Sequence, residues 1–270
     1  MTAAAAADRQ ADIFRRQAAY CDTRSPFYAA LCRRLAVDER VAALAPDLRW
    51  DFPLRLLGGL HYLVLAGEAT WDELDAALET RADFLARFAA EQPVQTNEVG
   101  RTAAVLRGIE ALGRDRVDLL ELGTAGGLLL YPDRYYDASF EVVRRRGIDR
   151  NPIDVTTDDG ARLLEAFVWP DQSDRIERLR AAIEIVRGEP PELIQGDYVD
   201  VLEEHVQGQT LVMSCVTTMY LDDDRYAKLV EKLRGVDWLS LEGPRGRRDY
   251  DGMQLVVNGR VLEEHVDYHG

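Results

Sequence analysis

The most constraining feature of the sequence is a cluster of glycines that directly follows a short apolar run. The run covers residues 117–121 (VDLLE), and Gly123, Gly126 and Gly127 come immediately after it. Glycine tolerates the backbone angles of tight turns and lets the chain approach a ligand closely. In doubly wound α/β sheets such turns lie at the carboxyl edge, where nucleotides bind. The cluster therefore favours a nucleotide-type cofactor, although a simple tight turn would show the same glycines.

Two glycine spacing patterns of nucleotide-binding proteins can be compared at this cluster. The dinucleotide fingerprint G-x-G-x-x-G/A, started at Gly123, places Leu128 at its third glycine. That glycine allows a helix to pack closely on the strand, so leucine fits poorly there. The methyltransferase pattern, acidic-x-G-x-G-x-G, loses only its middle glycine and falls on Glu121, Gly123, Ala125 and Gly127. The second pattern fits better and predicts S-adenosylmethionine as the cofactor.

Two further carboxylates are predicted to belong to the same site. Asp149 follows the glycines at roughly the 20-residue separation expected of an acid that accepts hydrogen bonds from ribose hydroxyls. Asp197 ends the next strand candidate and suits an adenine amino group. The structural alternatives are a turn before Asn151 for the first and helix capping for the second. A cationic cofactor suits such an acidic pocket, whereas a pyrophosphate does not.

The chain changes character near residue 113. Before it, apolar residues recur at helical spacing, with Ser25-Pro26, a Thr70–Glu73 capping box and Asn97 as candidate helix starts. After it, strands and helices alternate, which implies a parallel sheet covered on both faces. Strand candidates are residues 117–121, 192–194, 210–216 and 236–241, with a helix over 222–233.

The chain ends in a predicted hairpin. Asn258-Gly259 separates two β-prone runs, residues 253–257 and 260–266, and this dipeptide is a strong hairpin signal. The hexamer VLEEHV lies in the second run and also at residues 201–206, where it is predicted to be helical. The predicted fold is thus α/β, a Rossmann-like class I methyltransferase sheet with parallel strands, a C-terminal antiparallel hairpin and an N-terminal helical cap. The predicted domains are residues 1–113 and 114–270.

The net charge and the number and spacing of cysteines limit the classes of binding partner and the compartment in which the protein is expected. A net charge of −15 disfavours nucleic acid or an anionic membrane surface, because phosphate neutralisation needs a basic face. No stretch is apolar enough to span a bilayer, and the N-terminal alanine run lacks the basic start of a secretory signal. Three cysteines without a CxxC pair fit a reducing cytoplasm. We expect a cytoplasmic protein that binds a small molecule, and the sequence leaves its oligomeric state open.

Catalytic residues are hard to predict, because positioning alone can supply much of the acceleration of methyl transfer. The candidates are Cys215, Thr217, His61 and Glu98. For three of them a structural role competes: a buried small hydrophobe for Cys215, a core histidine for His61, and a first-turn acid for Glu98. The run Arg144 to Arg146 is interpreted as solvated. The sequence predicts no metal, since His205, His265 and His269 lack ligand spacing.

Four sequence blocks resemble the signature of a bacterial family: residues 95–101 (QTNEVGR), 121–123 (ELG), 147–152 (GIDRNP) and 168–172 (VWPDQ). The family is catalogued as a domain of unknown function and is placed among Rossmann-like methyltransferase relatives. The resemblance runs from about Phe14 through Leu221. The block after Gly127 is shorter than the family pattern, and Ser214-Cys215 stands where a histidine is expected. The resemblance implies the fold and implies no substrate.

Together these features predict an S-adenosylmethionine-dependent methyltransferase whose small-molecule acceptor binds between the helical cap and the Rossmann-like domain. Two alternatives stay open. The first is a non-catalytic module that keeps the fold and the cofactor, consistent with the absence of an Asn-Pro-Pro-Tyr or Asp-Pro-Pro-Tyr motif from the sequence. The second is an NAD(P)-linked oxidoreductase, which Leu128 disfavours.

Overall fold

The computed structural model describes residues 3–44, 49–247 and 250–268, with side chains from residue 8 onward. The chain forms two compact units. The first, called the helical unit, comprises Met1–Thr96 with Ala161–Glu177, and the second, called the sheet unit, comprises Asn97–Gly160 with Arg178–Gly270. The domain boundary after residue 113 stays a prediction. Among the described residues, no helix combines the length and apolarity needed to cross a membrane.

Among its described residues, the helical unit contains six helices before residue 97. They are α1 (Ala3–Cys21), α2 (Pro26–Leu35), α3 (Glu39–Leu44), α4 (Phe52–Leu65), α5 (Leu74–Thr80) and α6 (Ala82–Glu91). Ser25 caps α2 as predicted, because its hydroxyl accepts a hydrogen bond from the Tyr28 N–H at 3.2 Å. The predicted capping box is wrong, because the Thr70 hydroxyl donates to the Glu73 carboxylate instead of capping a backbone N–H.

The sheet unit begins with α7 (Thr102–Glu110) and contains all seven described strands. The remaining elements, in chain order, are β1 (Arg116–Leu122), α8 (Pro132–Tyr135), β2 (Glu141–Asp149), α9 (Asp158–Ala166), α10 (Ser173–Gly188), β3 (Glu192–Gln195), α11 (Tyr198–His205), β4 (Thr210–Cys215), α12 (Asp223–Lys232), β5 (Asp237–Glu242), β6 (Met253–Val257) and β7 (Arg260–Val266). Helices α9 and α10 each continue from one unit into the other.

The strands form one sheet in the order β3-β2-β1-β4-β5-β6-β7. The first five strands of this order are parallel, and β6 and β7 add an antiparallel pair. This topology confirms the predicted α/β class with its C-terminal antiparallel hairpin. The chain winds outward from β1 through β2 to β3 and then returns to place β4 on the other side of β1. Doubly wound sheets bind ligands at such a switch point, outside the carboxyl ends of the strands.

Helices cover both faces of the sheet. On one face, Leu120 and Val212 pack with residues of α11 and α12 in a continuous apolar core. On the other face, α7 lies so close that a Cβ atom on Gly108 would collide with Leu239. Coverage on both faces explains why the central strand β4 is buried along its whole length.

The terminal hairpin is built as the sequence predicts. Asn258 and Gly259 have φ angles of +50° and +79°, as a type I′ turn requires. Residues 201–205 of the first VLEEHV hexamer are helical in α11, whereas the second copy, residues 261–266, is extended in β7. Cross-strand pairing and burial therefore decide its conformation, because both copies have the same intrinsic propensity.

Strand β2 corrects the interpretation of the arginine run. Arg144 is exposed, but Arg145 and Arg146 are buried and the prediction of a solvated run is wrong for them. Arg146 donates to Asp118 at 2.6 Å, and Arg145 donates to Asp133 at 2.8 Å. A buried arginine is tolerated when its charge is paired and its N–H groups are hydrogen-bonded.

Candidate functional site

The glycine loop after β1 lies at the switch point and adopts left-handed backbone conformations. The φ angles of Gly123, Ala125 and Gly127 are +68°, +50° and +74°. A Cβ atom at Gly123 would collide with the side chain of Thr217, which follows β4. Ala125 therefore stands in a conformation that favours glycine, as the methyltransferase pattern places a glycine there. The loop brings the ends of β1 and β4 into direct contact.

Asp149, at the carboxyl end of β2, forms hydrogen bonds that hold this loop in place. Its carboxylate accepts hydrogen bonds from the N–H groups of Ala125 at 2.9 Å and Asn151 at 2.8 Å. The Ala125 carbonyl accepts a third bond from the Ile153 N–H at 3.0 Å. A carboxylate has about four lone-pair sites, so two remain for hydroxyl groups of a ligand. Asp149 thus fulfils the turn role, and its predicted ribose contact stays a prediction.

Glu121 is a buried carboxyl group beside the loop. It accepts a hydrogen bond from the Thr124 hydroxyl at 2.6 Å. Burial raises the pKa of Glu121 to about 8, and the bond from Thr124 offsets only part of that effect. A carboxyl group with this pKa is mostly protonated near neutral pH, and a cationic group brought beside it would favour its ionised form.

Asp197, at the end of β3, is already engaged by several donors. Its carboxylate caps α11 by accepting from the Val199 N–H at 3.0 Å, and it pairs with Arg150 and Arg225. Partial burial would raise the pKa of Asp197, but the bonds from Arg150 and Val199 outweigh it and lower the pKa. The capping alternative is therefore realised. The predicted adenine contact stays a prediction.

The turn after β4 is held under backbone strain. Val216 has a φ of +52°, a conformation that β-branched residues rarely adopt. Glu242, at the end of β5, accepts hydrogen bonds from the N–H groups of both Thr217 and Thr218 at 3.0 Å. Such strain costs about 1–3 kcal/mol and persists only where the surroundings fix the backbone. Glu242 supplies that constraint and fixes Thr217 against Gly123.

Two of the catalytic candidates, Cys215 and Glu98, lie in the sheet unit. Burial raises the pKa of the Cys215 thiol to about 12, so this group stays protonated at neutral pH. The Glu98 carboxylate accepts from the Gly100 N–H at 3.1 Å and begins the 3-10 turn Val99–Arg101. Asn97 does not begin that turn, and the prediction of a helix cap is wrong. Its side chain instead accepts from the Leu128 N–H at 3.0 Å.

His61 belongs to the helical unit. It is buried in α4, with its ring 5.5 Å from that of Trp71, measured between centroids. No group of three or more His, Cys, Asp or Glu side chains within the described ranges is arranged to hold a metal ion. His269, one of the histidines considered above, lies outside those ranges.

The structure thus joins Glu121, Gly123, Ala125, Asp149 and Thr217 around the switch point. Sequence reasoning assigned no role to two other participants, Glu242 and Arg101, although Arg101 ends the block at residues 95–101. Glu242 ends a strand whose carboxyl edge could have been considered. Arg101 is buried in the turn before α7, and its side chain bonds to the Tyr268 carbonyl at 2.8 Å. Its partners are distant in sequence, so no local spacing identifies it.

The sheet order and the loop at its switch point define a doubly wound α/β protein with a candidate nucleotide-type site. The sequence model of a bacterial family described as "Uncharacterized protein conserved in bacteria (DUF2332)" matches residues 11–140 and 135–269. The chain belongs to this family, as the resemblance indicated. The match does not bear on the individual signature blocks.

Two solved structures are similar to the chain. One is the DhpI-SAM-HEP complex, with 16% identity, a TM-score of 0.30, and 71% of this chain and 69% of the other covered. The other is a "putative class I S-adenosylmethionine-dependent methyltransferase" from Listeria monocytogenes, with 14% identity, a TM-score of 0.29, and coverage of 88% and 74%. At these TM-scores neither likeness carries an argument. A comparison with curated proteins finds no match.

Proposed function

We propose that the chain is an S-adenosylmethionine-dependent methyltransferase acting on a small-molecule acceptor. The observation that supports this proposal most is the glycine loop at the switch point, whose Ala125 N–H donates a hydrogen bond to Asp149 at the end of β2. The loop supplies backbone for close approach to an adenosyl group, and Asp149 keeps lone pairs for ribose hydroxyls. Glu121 adds a carboxyl group suited to the positive charge of this cofactor.

The element after the loop favours this cofactor over a dinucleotide. A pyrophosphate binds at the N-terminus of a helix that directly follows the glycine loop. Here Gly127 leads into a three-residue 3-10 turn, Leu128–Leu130, and then into α8 with only four residues. The Leu128 N–H is also taken by Asn97. S-adenosylmethionine has no phosphate groups and does not need such a helix.

The acceptor is proposed to be a small molecule because the net charge of −15 opposes binding to nucleic acid. S-adenosylmethionine would supply the activated methyl group: the nucleophilic atom of the acceptor would attack the methyl carbon in line while the carbon–sulfur bond breaks, and S-adenosylhomocysteine would leave with the bonding electron pair. The chain's own contribution is to hold the two reactants in register, and such positioning can provide much of the acceleration. Thr217 stands against the loop and is a candidate for contacting the acceptor.

The proposal is tested by calorimetric titration of the full chain with S-adenosylmethionine and S-adenosylhomocysteine, with NADH for comparison. We expect both sulfur compounds to bind and NADH not to bind. Asp149→Ala should weaken both affinities severalfold or more, because it removes the proposed ribose contact together with the hydrogen bonds that hold the glycine loop in place. The matched control is Asp224→Ala, which removes an exposed acid on α12. A folded protein that binds neither sulfur compound would refute the proposal, and binding without formation of S-adenosylhomocysteine across acceptor panels would support the non-catalytic module.

A further inference from the structure

Arg101 is a buried cation whose hydrogen-bonding capacity is largely unused. Arg101 is the last residue of the turn Val99–Arg101, and it is only 6% exposed. Its Nε donates to the Tyr268 carbonyl at 2.8 Å, and its guanidinium lowers the pKa of the Cys215 thiol. Within the described part of the chain, neither terminal nitrogen of Arg101 has an oxygen acceptor.

The charge of Arg101 lies at the switch point. Cys215 ends β4 and Glu121 lies near the end of β1, and these two strands are neighbours, with Leu122 paired to Ser214. Burial raises the pKa of both the Glu121 carboxyl and the Cys215 thiol, and the positive charge of Arg101 lowers both. The segment that leads into Arg101 also lies against the end of the glycine loop, because Asn97 accepts a hydrogen bond from the Leu128 N–H at 3.0 Å. The guanidinium therefore lies at the carboxyl edge of the sheet, where the proposed cofactor would bind.

A buried guanidinium is costly unless a charge partner and hydrogen-bond acceptors compensate it. The Glu121 carboxyl group, whose pKa the charge of Arg101 lowers, is bonded to Thr124, and burial raises its pKa to about 8, which leaves it mostly neutral near pH 7. The missing partner is thus an anion with two acceptor atoms. A carboxylate matches the planar fork of arginine, because two parallel N–H···O bonds can form at once.

We propose that Arg101 binds the carboxylate of the cofactor's amino-acid portion. This inference rests on the proposed function and extends it from the adenosyl group to the other end of the ligand. S-adenosylmethionine and S-adenosylhomocysteine carry this carboxylate, whereas their decarboxylated analogues keep the adenosyl group and the amine. The protein should therefore discriminate between ligands that differ only in that group.

The test compares S-adenosylhomocysteine with decarboxylated S-adenosylhomocysteine by calorimetry on the full chain. Wild type should bind the carboxylated compound about ten- to a hundredfold more tightly, as expected for a charge-assisted bond to a buried group. Arg101→Met should remove this preference and leave the affinity for the decarboxylated compound within about twofold. Arg101→Lys should restore part of the preference, because it keeps the charge without the fork.

The controls separate this inference from the proposed function. If wild type binds both compounds equally, Arg101 does not bind the carboxylate, even if Arg101→Met fails to fold. An equal loss of affinity for both compounds in Arg101→Met would show a merely structural role and overturn the inference. If wild type binds neither compound, the proposed function fails first and the inference falls with it. Arg144→Met, which removes an exposed arginine of β2, should leave both affinities unchanged.

Discussion

Replacing Glu121 by glutamine should make the folded state more stable at alkaline pH. Its pKa rises from a usual 4.5 to about 8 on folding, because its carboxyl group is buried. The folded state therefore holds a proton that the unfolded state releases, and stability falls as the pH rises between these values. A rise of this size corresponds to about 5 kcal/mol above pH 8. Glutamine keeps an acceptor for the Thr124 hydroxyl and removes the titration.

The assay is urea unfolding of wild type and Glu121→Gln at several pH values. From about pH 5.5 to about pH 7.5, the stability of wild type should fall by about 2–3 kcal/mol relative to the variant. Both proteins should respond alike above pH 8, where the carboxyl group is ionised in both states of wild type. Glu110→Gln removes an exposed glutamate at the end of α7 and should follow wild type throughout. A difference between wild type and Glu121→Gln that is constant with pH would refute the reasoning.

Two further predictions concern the sheet unit. Arg146→Met should lower the free energy of unfolding by about 3–5 kcal/mol, because it leaves the Asp118 carboxylate without its buried partner. Adding Asp118→Leu to the same chain should recover part of this loss. Urea unfolding measures both variants. Gly259→Val should cost about 1–2 kcal/mol, because valine must adopt the left-handed conformation of the hairpin turn. Asn258→Gly at the neighbouring position serves as its comparison, and equal melting temperatures of wild type and Gly259→Val would contradict the assigned turn.

The parts of the fold that depend on local patterns were predictable from the sequence. Apolar runs ending in glycine located β1, and Asn258-Gly259 located the hairpin. Strand β2 was not recognised as a strand, because its three consecutive arginines suggest solvent exposure. The residues that make burial possible, Asp118 and Asp133, are far away in sequence, so only the folded sheet shows the pairing.

The residues of the candidate site also divide into those that the sequence predicts and those that only the folded structure shows. Its glycines and Asp149 follow a known spacing and were selected from the sequence. Arg101 and Glu242 were not, because their roles come from contacts between separate segments of the chain. Asn97 shows the reverse error: a residue type that favours helix caps instead accepts the N–H of Leu128. Residue preferences describe the neighbourhood along the chain, whereas this contact depends on tertiary packing.

The composition of the helical unit from two separate chain segments has a consequence for synthesis on the ribosome. Its apolar core includes Trp169, which lies in the second segment, Ala161–Glu177. Domains that are continuous in sequence can fold as soon as they emerge, N-terminal first. Here the first segment cannot complete its apolar core until the second segment has left the exit tunnel, and β1 and β2 are translated in the interval. The nascent chain therefore exposes an incomplete apolar core during translation of about 80 residues, a stretch in which chaperone binding would be expected.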